Sequence, residues 1–215
     1  MEKIIKHIED NKIIAICRGL YGEDLRQLAQ SLVDGGVSLI EVTFDQSAEN
    51  NLELTGNAIK MLSEEFAGKV LVGAGTVITK EQVEVAKENG AKYIISPNVN
   101  IDIIKYTNEF GLISMPGAMT PSEIIAADQA GAHFVKVFPA GTLGIKYLKD
   151  IMGPINHVKL VAAAGVTPDN IQDFLDIGFK GFGISNYLTN KKQVLSKEFD
   201  ILTEHAKELC AICKK

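Results

Sequence analysis

The chain has 215 residues, with 22 Lys plus Arg against 27 Asp plus Glu and a net charge of −5. That length suits one large domain spanning residues 1–215, whose core needs no disulfide or metal staple. The mild acidity and the lack of any basic run argue against a nucleic-acid partner, and no apolar stretch approaches the ~20 residues that cross a bilayer.

The N-terminal segment MEKIIKHIEDNK is polar and amphipathic, unlike a signal peptide, and predicts a helix over residues 2–10. Beyond it one pattern recurs: an amphipathic stretch, a Gly, then a short apolar run. It is seen in LVDGGVSLIEVTF, AKENGAKYIIS, TNEFGLISMP, ADQAGAHFVKVF and LDIGFKGFGIS. The Gly fits the position just past a helix end, where a positive φ is needed, and the apolar run reads as a strand buried on both faces. With Ile13–Ile16, Val70–Gly73 and Lys159–Ala162 added, eight strands begin near residues 13, 39, 70, 93, 113, 134, 159 and 181. Spacings of roughly 20–30 residues fit strand-plus-crossover-helix units. Thr120-Pro121-Ser122-Glu123 and Thr167-Pro168-Asp169 each place a capping hydroxyl before Pro and predict helix starts. A last helix is expected over residues 198–213. The sum is an α/β fold, a (β/α)8 TIM barrel with an extra N-terminal helix. A doubly wound open sheet is the rival, but its Gly-rich dinucleotide fingerprint is missing.

In such barrels the chemistry lies at the C-terminal ends of the strands. Lys136 sits inside the apolar run Phe134-Val135-Lys136-Val137-Phe138, and Glu41 inside Leu39-Ile40-Glu41-Val42-Thr43-Phe44. Burial disfavours the charged form of Lys, and a neutral amine is the nucleophile that makes a Schiff base with a carbonyl. Glu41 beside it suits a general acid/base. The alternatives are a plain ion pair, with Glu41 bound to Lys136 or Arg18, or a Lys that snorkels out at its strand end.

Other groups fall at the same end. Arg18 follows strand 1 and suits a carboxylate. Gly73-Ala74-Gly75-Thr76 follows strand 3, with glycines that let backbone approach a ligand. Ser96-Pro97-Asn98 and Met115-Pro116-Gly117 follow strands 4 and 5. Ala164-Gly165-Val166 and Ile184-Ser185-Asn186 follow strands 7 and 8, where many barrels hold a phosphate. His133 and His157 precede strands and His7 and His205 lie on the terminal helices, so no histidine is expected at the active end and no metal site. Cys210-Ala211-Ile212-Cys213 has CxxC spacing without a second pair, and Cys17 reads as packing. Three cysteines, odd in number and widely placed, fit a reducing cytoplasm.

The segments IIAICRG, GGVSLIEVTF, VGAGTV, AKYIISPN, MPGAMTPSE and FVKVFPA occur in this order. With them the chain resembles the bacterial 2-keto-3-deoxy-6-phosphogluconate / 4-hydroxy-2-oxoglutarate aldolase family from strand 1 through strand 8. The resemblance implies a cofactor-independent class I aldolase, commonly a homotrimer, serving carbohydrate breakdown of the Entner–Doudoroff type. It cleaves a 4-hydroxy-2-keto acid to pyruvate and an aldehyde. It also implies that Lys136 is the Schiff-base lysine and Glu41 the general acid/base. Arg18, Thr76 and Pro97 then surround the pyruvyl group, and Gly165 and Ser185 stand on the phosphate side. Many members read Thr-Gly-Gly where this chain reads Ala163-Ala164-Gly165, and Arg where it has Asp45. Both departures disfavour a phosphate, one by crowding and one by charge. A sugar-phosphate isomerase or epimerase on the same barrel, with Glu41 as base, and a non-catalytic barrel that binds a keto acid are the alternative functions.

Overall fold

The computed structural model describes residues 1–214. In chain order the elements are α1 (Glu2–Asn11), β1 (Ile13–Cys17), α2 (Gly22–Asp34), β2 (Leu39–Thr43), α3 (Asn51–Glu65), β3 (Leu71–Gly75), α4 (Lys80–Glu88), β4 (Tyr93–Ile95), α5 (Ile101–Glu109) and β5 (Ile113–Met115). They continue with β6 (Gly117–Ala118), α6 (Pro121–Gln129), β7 (Val135–Val137), α7 (Ala140–Met152), β8 (Leu160–Ala163), α8 (Ile171–Asp176), β9 (Gly181–Ile184), α9 (Lys191–Leu195) and α10 (Phe199–Cys213). All paired strands run parallel, in the order β5-β4-β3-β2-β1-β9-β8-β7-β6. The two ends of that order, β5 and β6, are consecutive in the chain on either side of Pro116. The sheet therefore closes on itself as a (β/α)8 barrel preceded by a helix.

Nine strands occupy the eight expected places because the fifth is broken in two. Pro116 has no N–H to give to a ladder. Its carbonyl still accepts from Lys136 N at 2.8 Å, and Ser114 O accepts from Phe134 N at 3.3 Å. Met115-Pro116-Gly117, expected as a loop after the strand, thus lies within this stave.

The five glycines of the recurring pattern, Gly36, Gly90, Gly111, Gly131 and Gly178, all have φ between +68° and +103°. Each ends a helix and turns the chain into the next strand. Thr120 caps α6 in a reciprocal box with Glu123, with Pro121 in the first turn, as its sequence predicts. Thr167-Pro168-Asp169 does not start a helix. Thr167 N donates to Asn170 Oδ1 at 2.8 Å, Asn170 Nδ2 donates to Gly165 O at 2.9 Å, and α8 begins only at Ile171. The turn spends the capping side chain on the loop after β8. The short α9 was not predicted; Asn190 caps it by accepting from Lys192 N and Gln193 N.

The core has two parts. Outward-facing strand residues pack against the helices. Inward-facing Ile14, Leu39, Tyr93, Ile113, Phe134 and Val161 fill the lower barrel, joined by Ile8 of α1. Fully buried Ile8 contributes roughly 1.5–3 kcal/mol and plugs the N-terminal end, leaving the opposite end open for ligands.

Candidate active site

Strand register brings the ionisable groups into one interior. Glu41 of β2 pairs with Ile16 of β1 and Gly73 of β3, and Lys136 of β7 pairs with Gly117 and Val161. Every second residue of a strand faces the same way, so Glu41 shares the inner face with Leu39, and Lys136 shares it with Phe134.

Glu41 is 2% exposed and Oε2 has no hydrogen-bond partner among the described residues. Burial lifts its carboxyl above the ordinary carboxylate range, and the charges of Lys136 and Arg18 oppose that rise. Lys136 is half-buried. Burial lowers its amine from the ordinary lysine range, Arg18 lowers it further, and Glu41 works the other way. The Nζ lies 5.1 Å from the ring centroid of Phe138, whose side chain stands exposed at the rim. Among the described residues neither Lys136 nor Arg18 forms a salt bridge with Glu41. The plain ion pair is thus not formed. What stands instead is an amine biased toward its neutral form near a carboxyl biased toward its acid form.

Two glycines of β3 make room for this arrangement. A Cβ on Gly75 would overlap Glu41 Oε1, and a Cβ on Gly73 would overlap the Tyr93 ring. The space was expected for a ligand; the protein's own side chains fill it. Tyr93 and the fitting role of Gly75 were missed because an aromatic residue in a strand reads as ordinary core, and the fit depends on cross-strand register.

The remaining candidates ring the open end. Arg18 is exposed directly after β1. Thr76 follows β3 at φ +56°, and its carbonyl accepts from Gln46 Nε2 at 2.7 Å. Gln46 Oε1 in turn accepts from Gln82 Nε2 at 2.9 Å, so the loops after β2 and β3 are tied together. Pro97 is half-buried, and its carbonyl oxygen would lie 2.4 Å from a Cβ on Gly117, so only glycine fits there. Gly165 and Ser185 are exposed at the ends of β8 and β9. A Cβ on Gly165 would come within 2.8 Å of the Gly141 Cα, so this glycine serves the packing of the loop on α7. Gly141 N, near the start of α7, donates to Ala164 O at 2.8 Å and is not free for a ligand. Ala164 itself is exposed at φ +66°. Asp45 accepts from Ser47 N and Oγ at 3.0 and 2.7 Å, and these bonds, with the charge of Arg18, hold its carboxyl low.

An open groove of about 500 Å³ adjoins the loops after β8 and β9, lined by Gly165, Thr167, Asn186, Asn190, Gln193 and His205. His205 therefore reaches this end of the barrel, contrary to its expected remoteness, because α10 packs back along the barrel wall. His7 and His133 are occupied at the other end, by Ser38 and by Ser114 and Met1. Cys17, Cys210 and Cys213 are free and buried, and burial pushes the Cys213 thiol up to about 11.

Residues 4–204 match a family model described as KDPG and KHG aldolase. A probable 2-dehydro-3-deoxy-6-phosphogalactonate aldolase of Rhizobium meliloti is 33% identical over 189 residues, spanning 87% of this chain and 86% of that protein. The 2-dehydro-3-deoxy-6-phosphogalactonate aldolase of Escherichia coli is 28% identical over 186 residues, 86% of this chain and 88% of the other. Among solved structures, the KDPG aldolase of Legionella pneumophila, with pyruvate captured at low pH as a covalent carbinolamine intermediate, superposes with a TM-score of 0.82. It is 25% identical, and the match covers 93% of this chain and 94% of that one.

Proposed function

The chain belongs to the KDPG and KHG aldolase family, and from that premise we propose that Lys136 and Glu41 carry a class I aldol cleavage. The observation that supports this most is the interior pairing of a lysine held toward its neutral form with a carboxyl held toward its acid form.

In the proposed cycle neutral Lys136 adds to the C2 carbonyl of a 4-hydroxy-2-keto acid. Water leaves and a protonated imine forms. Ionised Glu41 takes the C4 hydroxyl proton while the C3–C4 bond breaks, and the iminium accepts the electron pair as an enamine. The aldehyde departs, C3 is reprotonated, and hydrolysis frees pyruvate and Lys136. Arg18 faces the substrate carboxylate, and Thr76 and Pro97 border the pyruvyl group. Gly165 and Ser185 face the far end of the substrate. No step calls for a metal or an organic cofactor.

The substrates are 4-hydroxy-2-keto acids, with 2-keto-3-deoxy-6-phosphogluconate, its galactonate counterpart and 4-hydroxy-2-oxoglutarate as the set to compare. A homotrimer working in the cytoplasm in a route of the Entner–Doudoroff type belongs to the same proposal. An isomerase or epimerase would use Glu41 as base but gives Lys136, whose amine burial lowers from the ordinary lysine range, no task. The test is pyruvate release from each acid by the wild type and by Lys136→Arg, whose guanidinium stays protonated and cannot form an imine. Release by the wild type alone is expected. Full release by the arginine variant contradicts the proposal.

A further inference from the structure

Tyr93 is fully buried, and its hydroxyl has no hydrogen-bond partner among the described residues. Glu41 Oε2 is in the same condition. Tyr93 of β4 is in register with Gly73 of β3, and Gly73 with Glu41 of β2, so the two unpartnered groups share one layer of the barrel. The Tyr93 ring occupies the space over Gly73, and the Glu41 carboxylate occupies the space over Gly75, two residues on along the same face of β3. Ring and carboxylate are thus neighbours along one strand.

Buried donors and acceptors are rarely left unpaired, since each forfeits its bonds to water. Burial and the nearby Glu41 charge both raise the Tyr93 phenol, so it keeps its proton and can only gain by donating it in a hydrogen bond. The other charged groups acting on Glu41 are Lys136 from β7 and Arg18 after β1; the Cys17 thiol of β1 feels the Glu41 charge from the outer core, and β3 brings only its glycines.

We propose that Tyr93 is a positioning residue for Glu41: its hydroxyl donates to the ionised carboxylate across one internal water and fixes the direction of that carboxylate during proton transfer. This role rests on Glu41 being the acid/base. A donor to the anion favours the ionised form, so removing it makes Glu41 harder to ionise.

The test is Tyr93→Phe, which deletes one oxygen and leaves a ring suited to the apolar cluster around it. The acid limb of kcat/KM for pyruvate release is expected to move up by roughly one pH unit, the scale of one hydrogen bond to a charged group. KM is expected to change little, and pyruvate should still be trapped on Lys136 by borohydride. In a Glu41→Gln background, adding Tyr93→Phe is expected to cost nothing further, because the hydroxyl acts through Glu41. Superimposable pH profiles for wild type and Tyr93→Phe, or an equal further loss in the Glu41→Gln background, overturn the role of Tyr93 and leave the aldolase standing. A wild type that releases no pyruvate from any acid overturns the proposed function and this role with it.

Discussion

Glu41 Oε1 occupies the space that a Cβ on Gly75 would take, so the carboxylate of β2 is seated against the bare backbone of β3. The glycine sets where the carboxylate stands. Gly75→Ala adds a methyl whose nearest contacts, Glu41 Oε1, Cδ and Cγ, must make way for it. Overpacking of this kind costs roughly 1–3 kcal/mol of stability. Turnover should fall because the carboxylate is displaced, while pyruvate still forms its imine on Lys136. Melting temperature, turnover and trapping on one preparation check this; an alanine variant with wild-type turnover shows that Glu41 needs no such seat.

The pH dependence follows from the two reactive forms. Burial holds the Lys136 amine below 10.5 and the Glu41 carboxyl above 4.5. Neutral Lys136 and ionised Glu41 both lose their reactive form as pH falls. The acid limb of kcat/KM should therefore lie between those two values, with apparent constants that belong to the pair. Glu41→Gln should lower turnover by roughly 10²–10⁴-fold, the usual weight of a general acid/base. It also removes the charge that raises Lys136, so the remaining limb should move to lower pH. A limb that stays fixed or moves upward in this variant assigns it to another group.

Ala164 holds φ +66°, a conformation that costs an L-residue roughly 1–2 kcal/mol relative to Gly. Ala164→Gly should leave the protein as stable or more so. It also clears a methyl beside the exposed loop after β8. We expect kcat/KM for 2-keto-3-deoxy-6-phosphogluconate to rise relative to 4-hydroxy-2-oxoglutarate, by a factor on the methylene scale of roughly 10–200 at most. Parallel kinetics on the two acids decide it. An unchanged ratio means that Ala164 does not govern phosphate discrimination.

Activity should survive exhaustive chelation. Among the described residues no three His, Cys, Asp or Glu side chains gather into a metal-binding group. Loss of turnover with a chelator, restored by a divalent ion, would show a metal in the cycle.

Much of this architecture is legible in the order of residues because its signals are local. The helix-ending glycines, the Thr120 box and the charged residues inside apolar strands each declare themselves within a few positions. Lys136 and Glu41 stand out because a charge in a buried run needs a reason. What stayed hidden depends on contacts between distant segments. Tyr93 reads as core until register places it beside Glu41. Gly75 reads as a loop glycine until a carboxylate is found above it. Pro116 reads as a strand end, although its carbonyl continues the ladder toward Lys136. Thr167-Pro168 reads as a helix start, although Asn170 folds back to close a turn. His205 reads as remote until α10 packs against the loops after β8 and β9.

Covalent capture tests the central claim most directly. Pyruvate and borohydride should leave a stable adduct on one residue, found by peptide mapping of the wild type, because reduction fixes the imine in place. The expected site is Lys136 alone, with no adduct in Lys136→Arg. An adduct on another lysine, or none in a folded and active enzyme, contradicts the account.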